Sequence, residues 1–196
     1  PRLCRDWSSD VCSSDLEKGQ IFFHIAKIIC RTRPSAFFLE NVDRLITHDK
    51  SATFRRIIDM LENELKYKVI GVTATEGKGL TYTPKSFIRN SRDFGVPQNR
   101  PRTYIIGFDR ERFRPERLER LPTELPTGRA ERLYNDLNAV LESNVESRYY
   151  MASGYLDTLV KHRERQEGRG YGFGYRVVNE TGIACPVANT LLATGG

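Results

Sequence analysis

The sequence lacks several features that would place it in a common class of protein. No apolar run approaches the ~20 residues that a membrane-spanning helix needs, and residues 1–16 contain no apolar core of a signal peptide. The four cysteines, Cys4, Cys12, Cys30 and Cys185, are scattered along the chain, without the density of a disulfide scaffold or the spacing of a CxxC metal site. These absences predict a reduced, cytoplasmic protein with no metal centre.

Charges of both signs are plentiful, and there is a moderate basic excess. The 196 residues include 31 Lys and Arg against 25 Asp and Glu, which gives a net charge of +6 at neutral pH. This length suits one domain or one and a half, and the basic excess permits a polyanionic partner. Gly77-Lys78-Gly79 is too short for a phosphate-binding loop, which argues against an unrelated nucleotide-binding enzyme.

Residues 1–16 show neither helical nor strand periodicity, and the tripeptide Ser-Ser-Asp occurs twice within them. The stretch Asp6 to Leu16, DWSSDVCSSDL, resembles the translation of a common sequencing-adapter oligonucleotide. We therefore interpret residues 1–16 as an artefact and assign no role to Trp7 or Cys12. A polar N-terminal loop is the alternative interpretation.

The periodicity of the following chain predicts helices that alternate with strands. Apolar residues at helical spacing predict helices over Gln20 to Arg33 and Ser51 to Leu65. Short runs of apolar and β-branched residues predict three strands, over Ala36 to Leu39, Tyr67 to Thr75 and Thr103 to Phe108. This order predicts an α/β domain with a mainly parallel sheet.

The composition changes after Asp109. Residues 110–132 are rich in Arg and Pro, and we interpret them as a basic linker whose charges are mostly solvated. Beyond the linker, the apolar pattern predicts helices over Tyr134 to Val140 and Met151 to His162, and strands at Val177-Val178 and Val187 to Leu192.

Two segments carry residues that suggest chemistry. Glu40-Asn41-Val42 follows a predicted strand, and ligands of open α/β sheets bind beyond the carboxyl ends of strands. A helix N-cap or a solvated turn carboxylate is the alternative role for Glu40. In the segment FGVPQNRPR, Arg100 and Arg102 point to opposite faces of an extended chain, so that one can meet a phosphate while the other faces inward. An exposed basic strand edge is the alternative.

Together, these two segments are more specific than either alone. The runs FFLENV and DFGVPQNRPRTYIIGF, with the helix between them, resemble the DNA (cytosine-5) methyltransferases of bacteria and phages over residues 19–108. HRERQEGRGYGFGYRVVN, at residues 162–179, is similar to the opening of a target-recognition region. The resemblance implies a partial Rossmann-like methyltransferase domain that uses S-adenosylmethionine in residues 17–109, then the basic linker at 110–132, and the start of a target-recognition domain in residues 133–196.

The resemblance also implies a mechanism. Such enzymes flip the cytosine out of the duplex, and a cysteine thiolate adds to carbon 6 so that carbon 5 can accept a methyl group. Glu40 would share a proton with ring nitrogen N3, while Arg102 would bind the base carbonyl oxygen and orient Glu40. Arg100 would contact the DNA backbone near the flipped nucleotide. Three more residues would brace the turn and the loop around the base: Asn41, Val42 and Gln98.

The Gly-aromatic stretch Glu167 to Tyr175, EGRGYGFGY, cannot form a regular helix. Glycine permits close approach of the backbone to DNA, so this stretch is a candidate recognition loop, with a surface loop as the alternative. Three side chains could reach phosphates or base edges: Arg169, Tyr171 and Arg176.

Two motifs of the family are absent from the sequence: the Gly-rich cofactor loop and the Pro-Cys pair that supplies the nucleophile. Cys30 is not preceded by proline, and Cys185 precedes Pro186 instead of following a proline. We therefore expect an internal fragment that lacks the nucleophile and most of the S-adenosylmethionine site, and that does not methylate DNA alone. The complete enzyme is expected to be a monomer that acts on double-stranded DNA, in a system that includes a cognate restriction endonuclease without binding it.

Two other functions stay open. A non-catalytic DNA-binding remnant would gain nothing from a buried carboxylate beside Arg102, because burial of a charge costs free energy. A tRNA cytosine-5 methyltransferase would share Glu40 and Arg102, but its recognition region is short, so the basic and Gly-aromatic stretch favours DNA. The target site also stays open, with a CCWGG-like site suggested by the resemblance.

Overall fold

The computed structural model of the protein describes residues 20–75, 77, 79–128, 136–171 and 177–190. The interpretation of residues 1–16 as an artefact lies outside these residues. In chain order, the elements are α1 (Gln20–Thr32), β1 (Ala36–Val42), α2 (Ala52–Asp59), β2 (Tyr67–Val69), β3 (Thr73–Thr75), β4 (Gly79–Thr81), β5 (Ile88–Asn90), β6 (Gln98–Asn99), β7 (Pro101–Asp109), α3 (Pro115–Glu119), α4 (Ser153–Glu167) and β8 (Ala188–Asn189). Within the described ranges, no helix has both the length and the apolar character that crossing a bilayer requires.

The chain divides into two compact units. The first unit comprises Pro1–Asn90 and Pro101–Gly128, and the second comprises Ser91–Arg100 and Arg129–Gly196. The predicted α/β character is confirmed in the first unit, which contains both the helices α1 and α2 and a four-stranded sheet.

The sheet of the first unit is antiparallel. Strand β7 lies between β1 and β2, and β5 also pairs with β7; all three pairings run antiparallel. The expectation of a mainly parallel sheet is therefore wrong for this sheet. Two features explain the difference. Along β7, buried and partly exposed residues alternate, as in antiparallel strands with one covered face, and the segment before β7 is a series of short turns that reverses the chain instead of a helical crossover.

Helices α1 and α2 supply most of the apolar cover of this sheet. The core contains residues of both helices and of three strands: Ala26, Ile29, Phe54, Ile57, Ile58, Phe37, Tyr67, Val69 and Ile105. Helix α1 ends just before Pro34, since the residue that precedes a proline is disfavoured in the helical conformation. The predicted helix over Ser51 to Leu65 is confirmed, with α2 continuing as a π-helical turn over Met60–Glu64.

The predicted strand over Tyr67 to Thr75 is found as two separate strands, β2 and β3, with a turn between them. Strand β2 ends at Val69, and the chain turns at Gly71, whose φ is +88°, a conformation that glycine adopts without steric cost. Beyond the turn, Thr73–Thr75 pairs with β4 in a separate two-stranded sheet.

Residues 110–128 of the predicted basic linker belong to the first unit. Leu125 is only 4% exposed, and the guanidinium of Arg89 in β5 donates to the carbonyl oxygens of Leu125 and Pro126, at 2.5 and 2.6 Å. The linker also contains the short helix α3, which the sequence pattern did not predict.

In the second unit, β6 and β8 pair in parallel, with Gln98 opposite Ala188. The helix predicted over Met151 to His162 is confirmed as α4, which extends further to Glu167. Of the helix predicted over Tyr134 to Val140, the described part is a 3-10 turn over Leu137–Val140. The strand predicted at Val177-Val178 is wrong, because these residues lie in irregular and turn structure.

Candidate active site

An ion pair lies where the polar ends of β1 and β7 meet. In the strand register, Val42 is opposite Arg102 and Glu40 is opposite Tyr104. Glu40 and Arg102 are therefore diagonal neighbours on one face of the sheet, within reach of long side chains. Nε of Arg102 lies 2.8 Å from Oε1 of Glu40. The fold thus brings together the carboxylate and the inner arginine of the two candidate segments.

The Arg102 guanidinium uses only part of its hydrogen-bonding capacity within the protein. Its Nη1 atom donates to the carbonyl oxygen of Pro101 at 2.7 Å, and its Nε atom faces Glu40. Within the described part of the chain, these contacts leave Nη2 of Arg102 and Oε2 of Glu40 without a hydrogen-bond partner. The Arg102 side chain is 14% exposed and that of Glu40 45% exposed. The expectation of a buried carboxylate beside Arg102 is therefore wrong for Glu40, whose carboxylate is held by Arg102 but remains accessible to a ligand.

Backbone contacts fix the chain at Glu40-Asn41-Val42. The buried Thr103 donates from Oγ1 to the carbonyl oxygen of Val42 at 3.1 Å, across the β1–β7 pair. The backbone N–H of Val42 donates to Oδ1 of Asn41 at 2.8 Å, so the Asn41 side chain bonds the backbone of the next residue. The alternative of an N-cap is wrong for Glu40, because the following 3-10 turn is preceded by Val42 and has no side-chain cap. Thr103 gave no motif signal in the sequence.

The face around the ion pair carries both aromatic surface and an excess of positive charge. Phe38 and Tyr104 lie in contact, with ring centroids 5.4 Å apart, next to Glu40 along the strands. On the other side of β7, Arg89 lies opposite Arg102. The described hydrogen bonds of Arg89 go to carbonyl oxygens, not to a carboxylate. Because the Arg89 guanidinium is held by these carbonyl oxygens, the open Nη2 atom of Arg102 is the donor of this pair of arginines that can meet an electron-rich ligand.

Gln98 and Arg100 belong to the second unit, in the segment that leads into β7. Each backbone carbonyl oxygen of residues 97–100 accepts a hydrogen bond there. The bonds are Ala188 N–H to Pro97 at 3.0 Å, Ser91 Oγ to Gln98 at 2.6 Å, Thr190 Oγ1 to Asn99 at 2.9 Å and Ser91 N–H to Arg100 at 3.3 Å. Sequence reasoning identified Gln98 and Arg100 but missed Ser91 and Thr190, whose hydroxyl groups form part of no recognisable pattern.

The candidate recognition residues Arg169 and Tyr171 belong to the second unit, whereas Glu40 and Arg102 belong to the first. Tyr171 is 62% exposed, and the N–H groups of Arg169 and Tyr171 both donate to the carbonyl oxygen of Gln166, at 3.0 Å. These bonds close the end of α4 and leave both side chains at the surface. Arg176 lies outside the described residues.

Four described glycines, Gly77, Gly79, Gly170 and Gly182, have no atom within 4 Å of the position that a Cβ would take, so the backbone there is accessible. Among the described residues, no cluster of His, Cys, Asp and Glu has the arrangement of a metal site.

Comparison with known proteins assigns the family. The model of the C-5 cytosine-specific DNA methylase family matches residues 4–189, and the chain therefore belongs to this family. The Glu40–Arg102 pair lies within the matched region.

Curated relatives are similar over most of this chain. It is 38% identical over 172 residues to the Type II methyltransferase M.HpaII of Haemophilus parainfluenzae, covering 85% of this chain and 41% of the relative. It is 37% identical to M1.ScrFI of Lactococcus lactis subsp. cremoris, covering 85% and 37%, and 35% identical to M.SsoII of Shigella sonnei, covering 90% and 40%. The chain thus spans about two-fifths of the length of these relatives.

Proposed function

We propose that this chain is the part of a DNA (cytosine-5-)-methyltransferase that binds and polarises the target cytosine. The observation that carries the proposal is the Glu40–Arg102 ion pair, in which Nε of Arg102 lies 2.8 Å from the carboxylate inside a chain of the C-5 cytosine-specific DNA methylase family. Neither residue alone would suggest the reaction. The paired carboxylate and guanidinium, with one open atom on each, match ring nitrogen N3 and the neighbouring carbonyl oxygen of a cytosine.

The chemistry follows from where charge develops. When a thiolate of the complete enzyme adds to carbon 6, electron density moves to ring nitrogen N3 and the carbonyl oxygen. Oε2 of Glu40 would share with N3 a proton that is taken up from solvent when the base binds, and Nη2 of Arg102 would donate a hydrogen bond to the carbonyl oxygen. A planar guanidinium can serve the base, Glu40 and the Pro101 carbonyl oxygen together, which a lysine ammonium cannot do with the same geometry. S-adenosylmethionine would supply the methyl group.

The substrate proposed is double-stranded DNA. The family description names DNA, which supports DNA over tRNA, and the basic excess of the chain suits a polyanion. Arg100 would contact a backbone phosphate, while Arg169, Tyr171 and Arg176 would lie in the recognition region of a monomeric, cytoplasmic enzyme. The relatives are Type II methyltransferases, which supports a cognate restriction endonuclease in the same system.

A chimeric enzyme tests this function. Residues 20–190 of this chain would replace the matching segment of the Haemophilus parainfluenzae relative, and bisulfite sequencing of plasmid DNA would report cytosines methylated at carbon 5. We expect methylation, and a loss of at least about 100-fold in Glu40→Gln, since a positioned acid contributes that much to such reactions. Arg102→Lys should also lose about 100-fold, because it removes a fixed donor from the developing charge.

Helix α3 supplies matched controls, because Glu116 and Arg117 are exposed residues of the same types. Glu116→Gln and Arg117→Lys should leave methylation unchanged. Equal activity of Glu40→Gln and Glu116→Gln in the chimera would contradict the proposed role of Glu40. A folded chimera that binds DNA without methylating it would instead favour a non-catalytic DNA-binding remnant.

A further inference from the structure

Ser91 forms hydrogen bonds with three later residues of the segment from Ser91 to Arg100, and these bonds shape the segment into a loop. Ser91 uses its backbone N–H, its carbonyl oxygen and its hydroxyl group within this segment. Its N–H donates to the carbonyl oxygen of Arg100 at 3.3 Å, its carbonyl oxygen accepts from the N–H of Val96 at 3.3 Å, and its Oγ donates to the carbonyl oxygen of Gln98 at 2.6 Å. Ser91 therefore joins the beginning of the loop to its end.

These bonds hold β6 on both of its edges. Successive carbonyl groups of an extended chain point to opposite edges. On one edge, Pro97 and Asn99 accept from Ala188 and Thr190, in and next to β8. On the other edge, Gln98 and Arg100 accept from Ser91. Ser91 thus takes the place that a neighbouring strand would have.

These hydrogen bonds fix the backbone on both sides of Arg100. The peptide group before Arg100 is anchored through the Asn99 carbonyl oxygen, and the peptide group after it is anchored through its own carbonyl oxygen. Pro101 follows and restricts the backbone further, because the residue before a proline is confined to extended conformations. With both flanking peptide planes fixed, the direction in which the Arg100 side chain leaves the backbone is fixed as well.

We propose that Ser91 is a positioning residue that aims Arg100 at the DNA backbone, through its hydroxyl bond to Gln98 and its N–H bond to Arg100. The inference rests on the proposed function, in which Arg100 contacts a phosphate. Removal of the hydroxyl group should loosen the segment without unfolding the protein, because Ser91 is only partly buried and lies outside the apolar core.

Hydrogen exchange in the full chain tests the structural half of the proposal. In Ser91→Ala, amide exchange of Val96 and Ala188 should become about fivefold faster, the factor that matches one lost hydrogen bond of ordinary strength. Ser91→Thr keeps a hydroxyl group and should restore slow exchange. The amides of β1 and β7 should not change. Unchanged exchange of Val96 and Ala188 in Ser91→Ala would overturn the positioning role.

DNA binding by the same chain tests the functional half through a double-mutant cycle. Affinity for a duplex oligonucleotide would be measured over a range of salt concentrations. Arg100→Ala should reduce the slope of log K against log salt by about one, as expected for a single phosphate contact. Ser91→Ala should weaken binding about fivefold when Arg100 is present and should have no further effect in the Arg100→Ala background.

Ser86 provides the matched control, because its Oγ also donates to a backbone carbonyl oxygen, that of Thr83 at 2.8 Å, but in the first unit. Ser86→Ala should leave DNA affinity unchanged. Equal weakening by Ser91→Ala with and without Arg100 would overturn the positioning role alone, since the unaltered chain would still bind through Arg100. Failure of the unaltered chain to bind DNA would overturn the DNA-contact role of Arg100 and contradict the proposed function as well.

Discussion

At the residue scale, Glu62 illustrates how this protein accommodates a buried charge. Its side chain is 2% exposed and pairs with Arg110, while Oε1 accepts the backbone N–H of Val69 at 2.7 Å. One carboxylate therefore links the end of the α2 segment to β2 and to the residue that follows β7. Such a group is stable only while its partners remain, because an unpaired buried charge is expensive.

Removal of this carboxylate should destabilise the first unit strongly. Glu62→Ala is expected to lower the free energy of unfolding by about 3–5 kcal/mol, the usual result of breaking a buried ion pair. Glu62→Gln should cost less, since the amide oxygen can still accept the Val69 N–H. Urea denaturation measures both changes. Glu167→Gln, which breaks the exposed Arg163–Glu167 pair, should change stability by less than about 0.5 kcal/mol; an equal loss in both variants would refute the argument.

The site was predictable to the extent that its residues lie in motifs. Glu40 and Arg102 could be brought together from the sequence, since each belongs to a segment that resembles one family. The contacts of Ser91 and Thr190 could not be predicted in this way. A hydroxyl group that donates to a carbonyl oxygen is available to any serine or threonine, and the acceptor is set by the fold, not by the neighbouring sequence.

At the element scale, β7 organises the first unit because it pairs with β1, β2 and β5. Gly107 of β7 lies opposite Phe37 of β1. A Cβ built on Gly107 would lie only 2.2 Å from Cζ of Phe37, so the aromatic ring occupies the space above the glycine. The close packing of β1 on β7, and with it the position of Glu40 beside Arg102, depends on this missing side chain.

Gly107→Ala is therefore expected to lower the free energy of unfolding by about 1–3 kcal/mol, as overpacking of a core does. Phe37→Leu in the same chain should restore part of the loss, because it removes the ring that clashes. Thermal unfolding followed by circular dichroism measures both effects. At Gly154, in α4, no atom lies within 4 Å of an added Cβ, and Gly154→Ala should not destabilise. Equal stability of Gly107→Ala and the parent would show that β1 can shift freely.

Helices and strands were predicted from the sequence more reliably than their arrangement. The spacing of apolar residues reports which face of α2 or β7 is buried, and these elements were found where they were expected. It carries no information on strand direction, so the antiparallel pairing of β1 with β7 was missed. The end of β2 was missed for a related reason: the apolar run continues through Ile70, while the backbone turns at Gly71.

At the scale of the whole molecule, the two units differ in how they are held together. Among the described residues, the large buried apolar side chains lie in the first unit, with Pro186 of the second unit as the exception. The described part of the second unit relies mainly on hydrogen bonds such as those between β6 and β8. Because apolar burial is the dominant favourable contribution to folding, the cooperative stability of the chain should reside in the first unit.

That stability should fall at alkaline pH, because two tyrosines of the core are kept neutral by the fold. Burial raises the pKa of Tyr67, with Asp109 adding to the effect, and burial also raises the pKa of Tyr82. The hydroxyl group of Tyr67 donates to the carbonyl oxygen of Pro34 at 2.7 Å, which an ionised phenol cannot do. In the unfolded chain, both groups have the ordinary pKa of tyrosine.

The direction in which stability changes with pH follows from the number of protons that the folded and the unfolded chain bind. Below about pH 10 both states hold the phenolic protons, so these groups leave stability independent of pH. Above it, the unfolded chain loses protons that the folded chain keeps, and the free energy of unfolding should fall by up to about 1.4 kcal/mol per pH unit for each tyrosine. Urea denaturation between pH 7 and 11.5 measures this slope. Between pH 7 and 9, the free energies of unfolding of Tyr82→Phe and the parent should differ by a constant amount. Above pH 10, the free energy of unfolding of Tyr82→Phe should fall less steeply than that of the parent. A parallel decline of parent and variant up to pH 11.5 would mean that Tyr82 ionises equally in both states.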